Sequence, residues 1–138
     1  MYTRQQQYNI NRFIEHVQDY CSLFNIDVQF RHGLTCRTPE NEVADGFFVE
    51  PENGDPGILA IATGGPSDYW ITTLGHEFGH VQQWATDDPC YEDTWDAEVD
   101  AEKRSHKLMR KFKIPIDNEW HKRETDSFLR YIRVNNLV

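Results

Sequence analysis

The run HEFGH at residues 76–80 constrains this chain more than any other feature of its sequence. Residues four apart lie on the same face of an α-helix, so His76 and His80 would present two imidazole nitrogens to one tetrahedral zinc ion. Glu77 would lie one step around the helix, where its carboxylate can reach a water on that ion and act as a general base. The spacing therefore predicts a metal-binding helix that also carries a catalytic carboxylate.

The residues around this run are typical of a buried helix. Residues 66–68 (Pro-Ser-Asp) mark its start and residues 87–89 (Asp-Asp-Pro) mark its end. Between them, apolar side chains recur at helical spacing: Trp70, Ile71, Leu74, Phe78, Val81 and Trp84. Gly75 and Gly79 each cost about 1 kcal/mol relative to alanine inside a helix. Either close packing against a neighbouring element or the approach of a ligand would explain them.

A catalytic zinc site needs a third protein ligand in addition to a water. Metzincin peptidases have another histidine six residues after the second one, but this chain has Thr86 there, so that class is excluded. We predict Glu98 as the third ligand, at the start of a second helical stretch over residues 95–112. Glu102, on the same face, is then predicted to accept a hydrogen bond from a ligand histidine. Asp100 is an alternative third ligand that the sequence leaves open.

A different interpretation of these carboxylates is also open. Acidic residues are favoured near the amino-terminal end of a helix by the helix dipole, so the cluster could simply be a solvated helix face. The metal interpretation depends on the apolar and small residues on the same side, among them Ala97 and Ala101, because a carboxylate buried there is costly unless it is paired or bound to metal.

The pattern of HExxH followed by a glutamate on a later helix resembles the gluzincin metallopeptidases. Within that group, residues 98–102 (EVDAE), residues 108–109 (LM) and residues 114–115 (IP) resemble the E-x-E-A-D/N…L-L-M-P stretch of the ImmA/IrrE-type peptidases of bacteria, phages and mobile elements. The resemblance covers roughly residues 67–115. It implies Zn²⁺ as the cofactor, held by the two histidines and the first glutamate of the later helix, with Glu77 as the base.

The predicted function is zinc-dependent hydrolysis of a peptide bond in a polypeptide substrate, by an endopeptidase rather than an exopeptidase. Such a site also needs a donor for the developing oxyanion. His106 is the first candidate, because it follows Glu98 by eight residues and lies on much the same side of the helix. Other candidates by residue type are Tyr69, Tyr91, His121 and Tyr131.

A function of another class is a catalytically silent zincin scaffold that acts as an acidic protein-binding or inhibitory module. The net charge of −9 and the length of 138 residues are compatible with it. Glu77 favours the enzyme, because a purely structural zinc site has no use for a base at that position.

Charge and cysteine content limit the remaining possibilities. Only 4 of the 14 Lys/Arg residues lie in residues 1–102, which hold 19 of the 23 Asp/Glu, and such an acidic body argues against nucleic-acid binding. The chain has 3 cysteines, Cys21, Cys36 and Cys90, and no two of them form a C-x-x-C pair. This spacing predicts that their thiols are reduced. No apolar run reaches membrane-spanning length and the first residues form no secretory signal, so we expect a cytoplasmic protein without a membrane anchor.

The rest of the chain predicts a single zincin-like domain, over residues 1–138, of the α+β class. We expect a small antiparallel or mixed sheet packed on the HExxH helix and on further helices. The predicted elements are a helix over 3–24, strands over 26–31, 43–49 and 57–62, and a last helix over 118–134. The last two strands should form a hairpin. Strand 57–62 could lie at the sheet edge and bind a peptide by strand addition, or it could be an interior strand.

Overall fold

Three helices and five short strands make up the fold in the computed structural model, which describes residues 2–115 together with Asp126, Arg130 and Val134. The helices are α1 (Arg4–Leu23), α2 (Ser67–Ala85) and α3 (Thr94–Lys111). The strands are β1 (Ile26–Arg31), β2 (Cys36–Arg37), β3 (Val43–Ala44), β4 (Gly46–Val49) and β5 (Gly57–Ala62). A short 3-10 turn, Pro89–Glu92, joins α2 to α3.

The main sheet has the strand order β1-β5-β4. Strand β5 pairs in parallel with β1 and antiparallel with β4, so the sheet is mixed and the predicted hairpin is present. The α+β prediction, with a small mixed sheet packed on the HExxH helix, is confirmed.

Strand β5 lies in the centre of this sheet, so the suggestion that residues 57–62 form a substrate-binding edge is wrong. Four of its six residues in succession, from Leu59 to Ala62, are buried. A strand covered on both faces is apolar throughout rather than alternating, and the sequence GILAIA has that character. The edge strands of the three-stranded sheet are β1 and β4.

The predicted strand over 43–49 is broken at Asp45 into two strands that belong to different sheets. Strand β3 pairs with β2 in a separate two-stranded sheet, whereas β4 pairs with β5. The backbone carbonyl of Asp45 accepts a hydrogen bond from the Ala62 amide at 2.9 Å, and its carboxylate accepts one from the hydroxyl of Tyr69 on α2. These bonds fix the point at which the chain leaves one sheet for the other.

Helices α1 and α2 pack together with the sheet around one apolar cluster. Its fully buried side chains come from every layer: Phe13 and Val17 of α1, Leu59 and Ile61 of β5, and Ile71, Leu74, Phe78 and Val81 of α2. Helix α1 begins with a capping box, in which Thr3 and Gln6 exchange side chain to backbone hydrogen bonds. Helix α2 has Pro66 at its capping position and lacks a side-chain cap, because proline has no side-chain acceptor. The carboxylate of Asp68 in its first turn accepts a hydrogen bond from the hydroxyl of Tyr2.

Helices α2 and α3 approach each other closely where the two glycines of α2 lie. A Cβ added to Gly79 would stand 2.9 Å from both the Cα and the carbonyl oxygen of Ala101 on α3. A Cβ added to Gly75 would overlap the hydroxyl of Ser105. Of the two explanations for these glycines, close packing is confirmed, and it brings the HExxH face of α2 against the acidic face of α3.

Some predictions fall partly or wholly outside the described residues. The last predicted helix, 118–134, is one of them, although Asp126, Arg130 and Val134 are helical and exposed. The single domain over 1–138 stays a prediction. No helix in residues 2–115 is both long and apolar enough to cross a membrane.

The substitution Gly79→Ala should lower the midpoint of thermal unfolding. Alanine gains about 1 kcal/mol in helix propensity, but its Cβ meets the backbone of Ala101, and overpacking of this kind costs about 1–3 kcal/mol. The matched control is Gly65→Ala, where an added Cβ has nothing within 4 Å. Equal midpoints for Gly79→Ala and the unsubstituted protein would show that the two helices are not held at this distance.

Candidate metal centre

His76 and His80 lie one turn apart on α2 and present their imidazoles to the same point beside α3. Their ring centroids are 4.9 Å apart and the rings are nearly perpendicular. Each side chain is 13% exposed, so both rings are largely removed from water but reachable from it. The Nε2 atoms of the two rings are the ones that face Glu98.

Glu98 approaches both rings from α3. Its Oε2 lies 2.5 Å from the Nε2 of His76, and its Oε1 lies 3.2 Å from the Nε2 of His80. One ligand atom from each residue lies within 4.8 Å of the other two. Donors of a tetrahedral zinc site, with bonds of about 2.0–2.2 Å, are roughly 3.3 Å apart. The group therefore has the size and the donor chemistry of a metal site, and small side-chain rotations would equalise its spacing.

Glu102, one turn after Glu98 on α3, is in contact with the Nδ1 of His76 through its Oε1. The predicted contact between this carboxylate and a ligand histidine is thus confirmed. When a metal takes the place of the proton on Nε2, this acceptor would keep the other proton on Nδ1 and leave the lone pair of Nε2, the atom that faces Glu98, for the ion.

Gln83 does the equivalent for His80, and the sequence analysis missed it. The Nδ1 of His80 is 3.0 Å from the Oε1 of Gln83, whose side chain is completely buried. The Nε2 of Gln83 donates to the carbonyl of Ala97 at 2.9 Å and to the carboxylate of Asp100 at 3.0 Å. The sequence carries a signal for this contact, because a glutamine three residues after the second histidine can reach the ring of that histidine on a helix.

Asp100, the alternative third ligand, faces away from the two histidines. Its Oδ2 accepts from Gln83 and from the Nε of Arg104, which lies 2.6 Å away. Arg104 also contacts Asp88 at 2.9 Å, and the thiol of Cys90 lies 3.7 Å from Asp100. Asp88, Cys90 and Asp100 are close enough to one another to hold an ion, but the guanidinium of Arg104 already provides the positive charge among them.

Burial and hydrogen bonding compete in setting the pKa values of the three candidate ligands. Burial alone would lower the pKa of His76, but its hydrogen bonds to Glu102 and Glu98 outweigh that effect and raise the pKa to about 10. Burial would raise the pKa of Glu98, but its bonds to His76 and His80 lower it to about 2. The pKa of His80 is also raised, because its bond to Glu98 outweighs the effect of burial. The imidazole of His76 therefore carries a proton on both ring nitrogens at neutral pH, and a metal would have to displace the one on Nε2.

Glu77, the predicted base, follows His76 on α2 but does not belong to the three-ligand group. Loss of hydration raises its pKa, while the neighbouring His76 and His80 act in the opposite direction. Burial raises the pKa of the Cys36 thiol and that of the Tyr91 hydroxyl, and the negative charge of Glu77 adds a smaller contribution to both.

The predicted oxyanion donors are found in different surroundings. The Nε2 of His106 lies 3.5 Å from Glu102, whose other oxygen contacts His76. Tyr69 donates to Asp45. Burial, together with the influence of Glu50, raises the pKa of the Tyr91 hydroxyl. The other two candidates, His121 and Tyr131, lie outside the described residues. The catalytic role of His106 stays a prediction.

The chain was compared with protein-family models, with curated proteins and with solved structures, and none of the three comparisons gives a match. The functional argument therefore depends on the geometry of this centre, a His76-His80-Glu98 group that could hold a metal ion.

The substitution Glu98→Ala should strongly reduce the metal content of the purified protein, measured by elemental analysis, because one of three candidate ligands is lost. Glu92→Ala, which removes an exposed carboxylate from the 3-10 turn, is the matched control and should leave the metal content unchanged. If the metal content were unchanged in Glu98→Ala and reduced in Asp100→Ala, Asp100 rather than Glu98 would be the third ligand.

The stability of the metal-free protein should depend on pH in a definite direction. The raised pKa of His76 contributes stability that is complete below its ordinary value of 6.5 and is lost as the pH rises to about 10. The lowered pKa of Glu98 contributes stability that is complete above 4.5 and is lost as the pH falls to about 2. In a chelator, the midpoint of thermal unfolding should therefore be highest between these two ordinary values and fall from pH 6.5 to 10.

Zinc should oppose this decline, because binding requires deprotonated imidazoles and becomes stronger as the pH rises. The measurement is thermal unfolding at a series of pH values, with zinc and with a chelator. Glu102→Gln is the control, since it removes a partner that raises the pKa of His76 and should flatten the decline. A chelated protein as stable at pH 9 as at pH 6 would contradict this assignment of protons.

Proposed function

We propose that this chain is a zinc-dependent peptidase in which His76, His80 and Glu98 hold the ion and Glu77 is the general base. One observation carries the proposal: α3 places a carboxylate against the Nε2 atoms of both histidines of the HExxH helix. The sequence motif offers two candidate ligands and a candidate base, and the position of Glu98 beside both histidines supports it as the third ligand.

The donor set favours a catalytic rather than a structural zinc site. Structural zinc sites are closed by four protein ligands, commonly cysteines, whereas catalytic sites use three protein ligands such as two histidines and a glutamate. The group described here has the second composition. When bound there, zinc would supply Lewis acidity toward a substrate carbonyl and acidify a water.

Glu77 would move the proton in this reaction. In the proposed mechanism its carboxylate accepts a proton from the attacking water and later delivers that proton to the leaving amine. The place of Glu77 on α2, directly after His76, supports this role, and burial raises the pKa of its carboxyl. Glu102 and Gln83 hold the two imidazoles in the tautomer that presents Nε2.

Strand β4 is the edge strand best situated to bind the substrate. It packs against α2, since a Cβ on Gly46 would come within 3.1 Å of the Thr73 side chain on that helix. In the described sheet it has a partner strand only on the β5 side. A peptide added along β4 would run beside the metal helix and could extend in both directions, which favours an endopeptidase.

The resemblance to gluzincins, and within them to the ImmA/IrrE-type peptidases, supports the same function. The α+β fold, with the HExxH helix packed between a mixed sheet and the helix that carries the glutamate, is compatible with it. A polypeptide substrate, the cytoplasmic location and the absence of a nucleic-acid partner belong to this proposal.

The substitution Glu77→Gln should retain zinc and reduce peptide hydrolysis by about 10²- to 10⁴-fold, because the proton acceptor is lost while the three ligands remain. The assay is digestion of a peptide library followed by mass spectrometry, with and without a chelator. Glu92→Gln is the matched control and should retain full activity. A fully active Glu77→Gln would refute the mechanism. Zinc binding without any hydrolysis by the unsubstituted protein would favour the silent scaffold.

A further inference from the structure

We propose that Gln83 is a positioning residue that fixes the tautomer of His80 and joins the two helices at the metal centre. Its side chain is completely buried between α2 and α3, and it contacts residues of both helices. This inference rests on the proposed metal site but not on peptidase activity.

The orientation of the Gln83 amide is dictated by the acceptors around it. The carbonyl oxygen of Ala97 and the carboxylate of Asp100 can only accept a hydrogen bond, and the amide nitrogen lies 2.9 Å and 3.0 Å from them. A glutamine side chain has two N–H donors on its nitrogen, and both are used here. The amide oxygen must therefore be the atom that faces His80.

This orientation decides which nitrogen of His80 carries the proton. The oxygen of Gln83 can only accept, so the Nδ1 of His80, 3.0 Å away, must donate. A neutral imidazole has one proton, which leaves the lone pair on Nε2. That atom faces Glu98 at 3.2 Å. Gln83 thus selects the tautomer in which His80 can share an ion with Glu98.

The same amide also fixes the approach of Glu98. Ala97, whose carbonyl accepts from Gln83, directly precedes Glu98 on α3. The second acceptor, Asp100, is itself held by Arg104, which in turn contacts Asp88 beyond the end of α2. The buried side chain of Gln83 therefore sets the position of His80 on α2 and of Glu98 on α3. The salt bridges of Arg104 with Asp100 and Asp88 hold the acceptor in place and so prevent the amide of Gln83 from rotating.

The Nδ1 atoms of the two candidate ligand histidines therefore have chemically different hydrogen-bond partners. His76 donates to a carboxylate, Glu102, whereas His80 donates to a neutral amide. A carboxylate partner makes an imidazole a stronger base than an amide does. We infer that Gln83 contributes mainly orientation at His80, while Glu102 contributes both orientation and charge at His76.

The test compares Gln83→Met with Gln82→Met, which changes the adjacent residue of the same type. Methionine fills a similar volume but neither accepts from His80 nor donates to α3. The affinity for zinc, measured by competition with a chromophoric chelator, should fall by about 10- to 100-fold in Gln83→Met. It should stay unchanged in Gln82→Met.

A spectroscopic measurement separates positioning from simple structural support. Nitrogen-15 spectra of the zinc-loaded, unsubstituted protein should show that the Nδ1 of His80 carries a proton protected from exchange with water. A proton on Nε2 of His80 would overturn the inference, and this measurement decides even if Gln83→Met does not fold. In a folded Gln83→Met the Nδ1 proton should exchange much faster.

The outcomes distinguish this inference from the proposed function. Zinc affinity that is equal in Gln83→Met and in the unsubstituted protein would overturn the role of Gln83 and leave the peptidase intact. A chain that binds no zinc at all would overturn both. Weakened zinc binding in Gln83→Met, in a protein that cleaves no peptide, would support the role of Gln83 and refute the peptidase.

Discussion

The close approach of α2 and α3 is the constraint on which the rest of the centre depends. With Gly79 against the backbone of Ala101, the two helices are nearer than most side chains allow. Only at this separation can a glutamate of α3 reach the ring nitrogens of two histidines of α2. The cost of glycine in a helix is offset by the contacts that this approach permits.

The buried charges of the centre need mutual compensation. Glu98 and Glu102 are largely buried, and carboxylates in such surroundings are costly unless they are paired. Without metal, protonated imidazoles can provide the pairing, and with metal the ion provides it. The acidic face of α3 is therefore a buried and paired cluster rather than a solvated helix face, and the nearby Arg104 plays the corresponding part for Asp88 and Asp100.

Local patterns allowed much of this structure to be predicted, and tertiary pairing explains what they missed. Helices α1 to α3 follow from apolar periodicity, and the choice of Glu98 followed from the number of ligands that zinc needs. The break at Asp45 could not be predicted, because it depends on pairing of β3 with a strand that the sequence marks weakly. The central place of β5 depends on β1, 31 positions earlier in register. The role of Gln83 was harder to predict because two of its three partners, Ala97 and Asp100, lie on the other helix.

All three candidate ligands and both of their supports lie within one helical hairpin, whereas the sheet supplies none of them. The segment from β2 to β4 can consequently diverge in length and composition without altering the ligands. Such a division allows evolution to change which molecules are recognised while the chemistry is conserved. Changes in the loops between these strands would therefore leave His76, His80 and Glu98 in place.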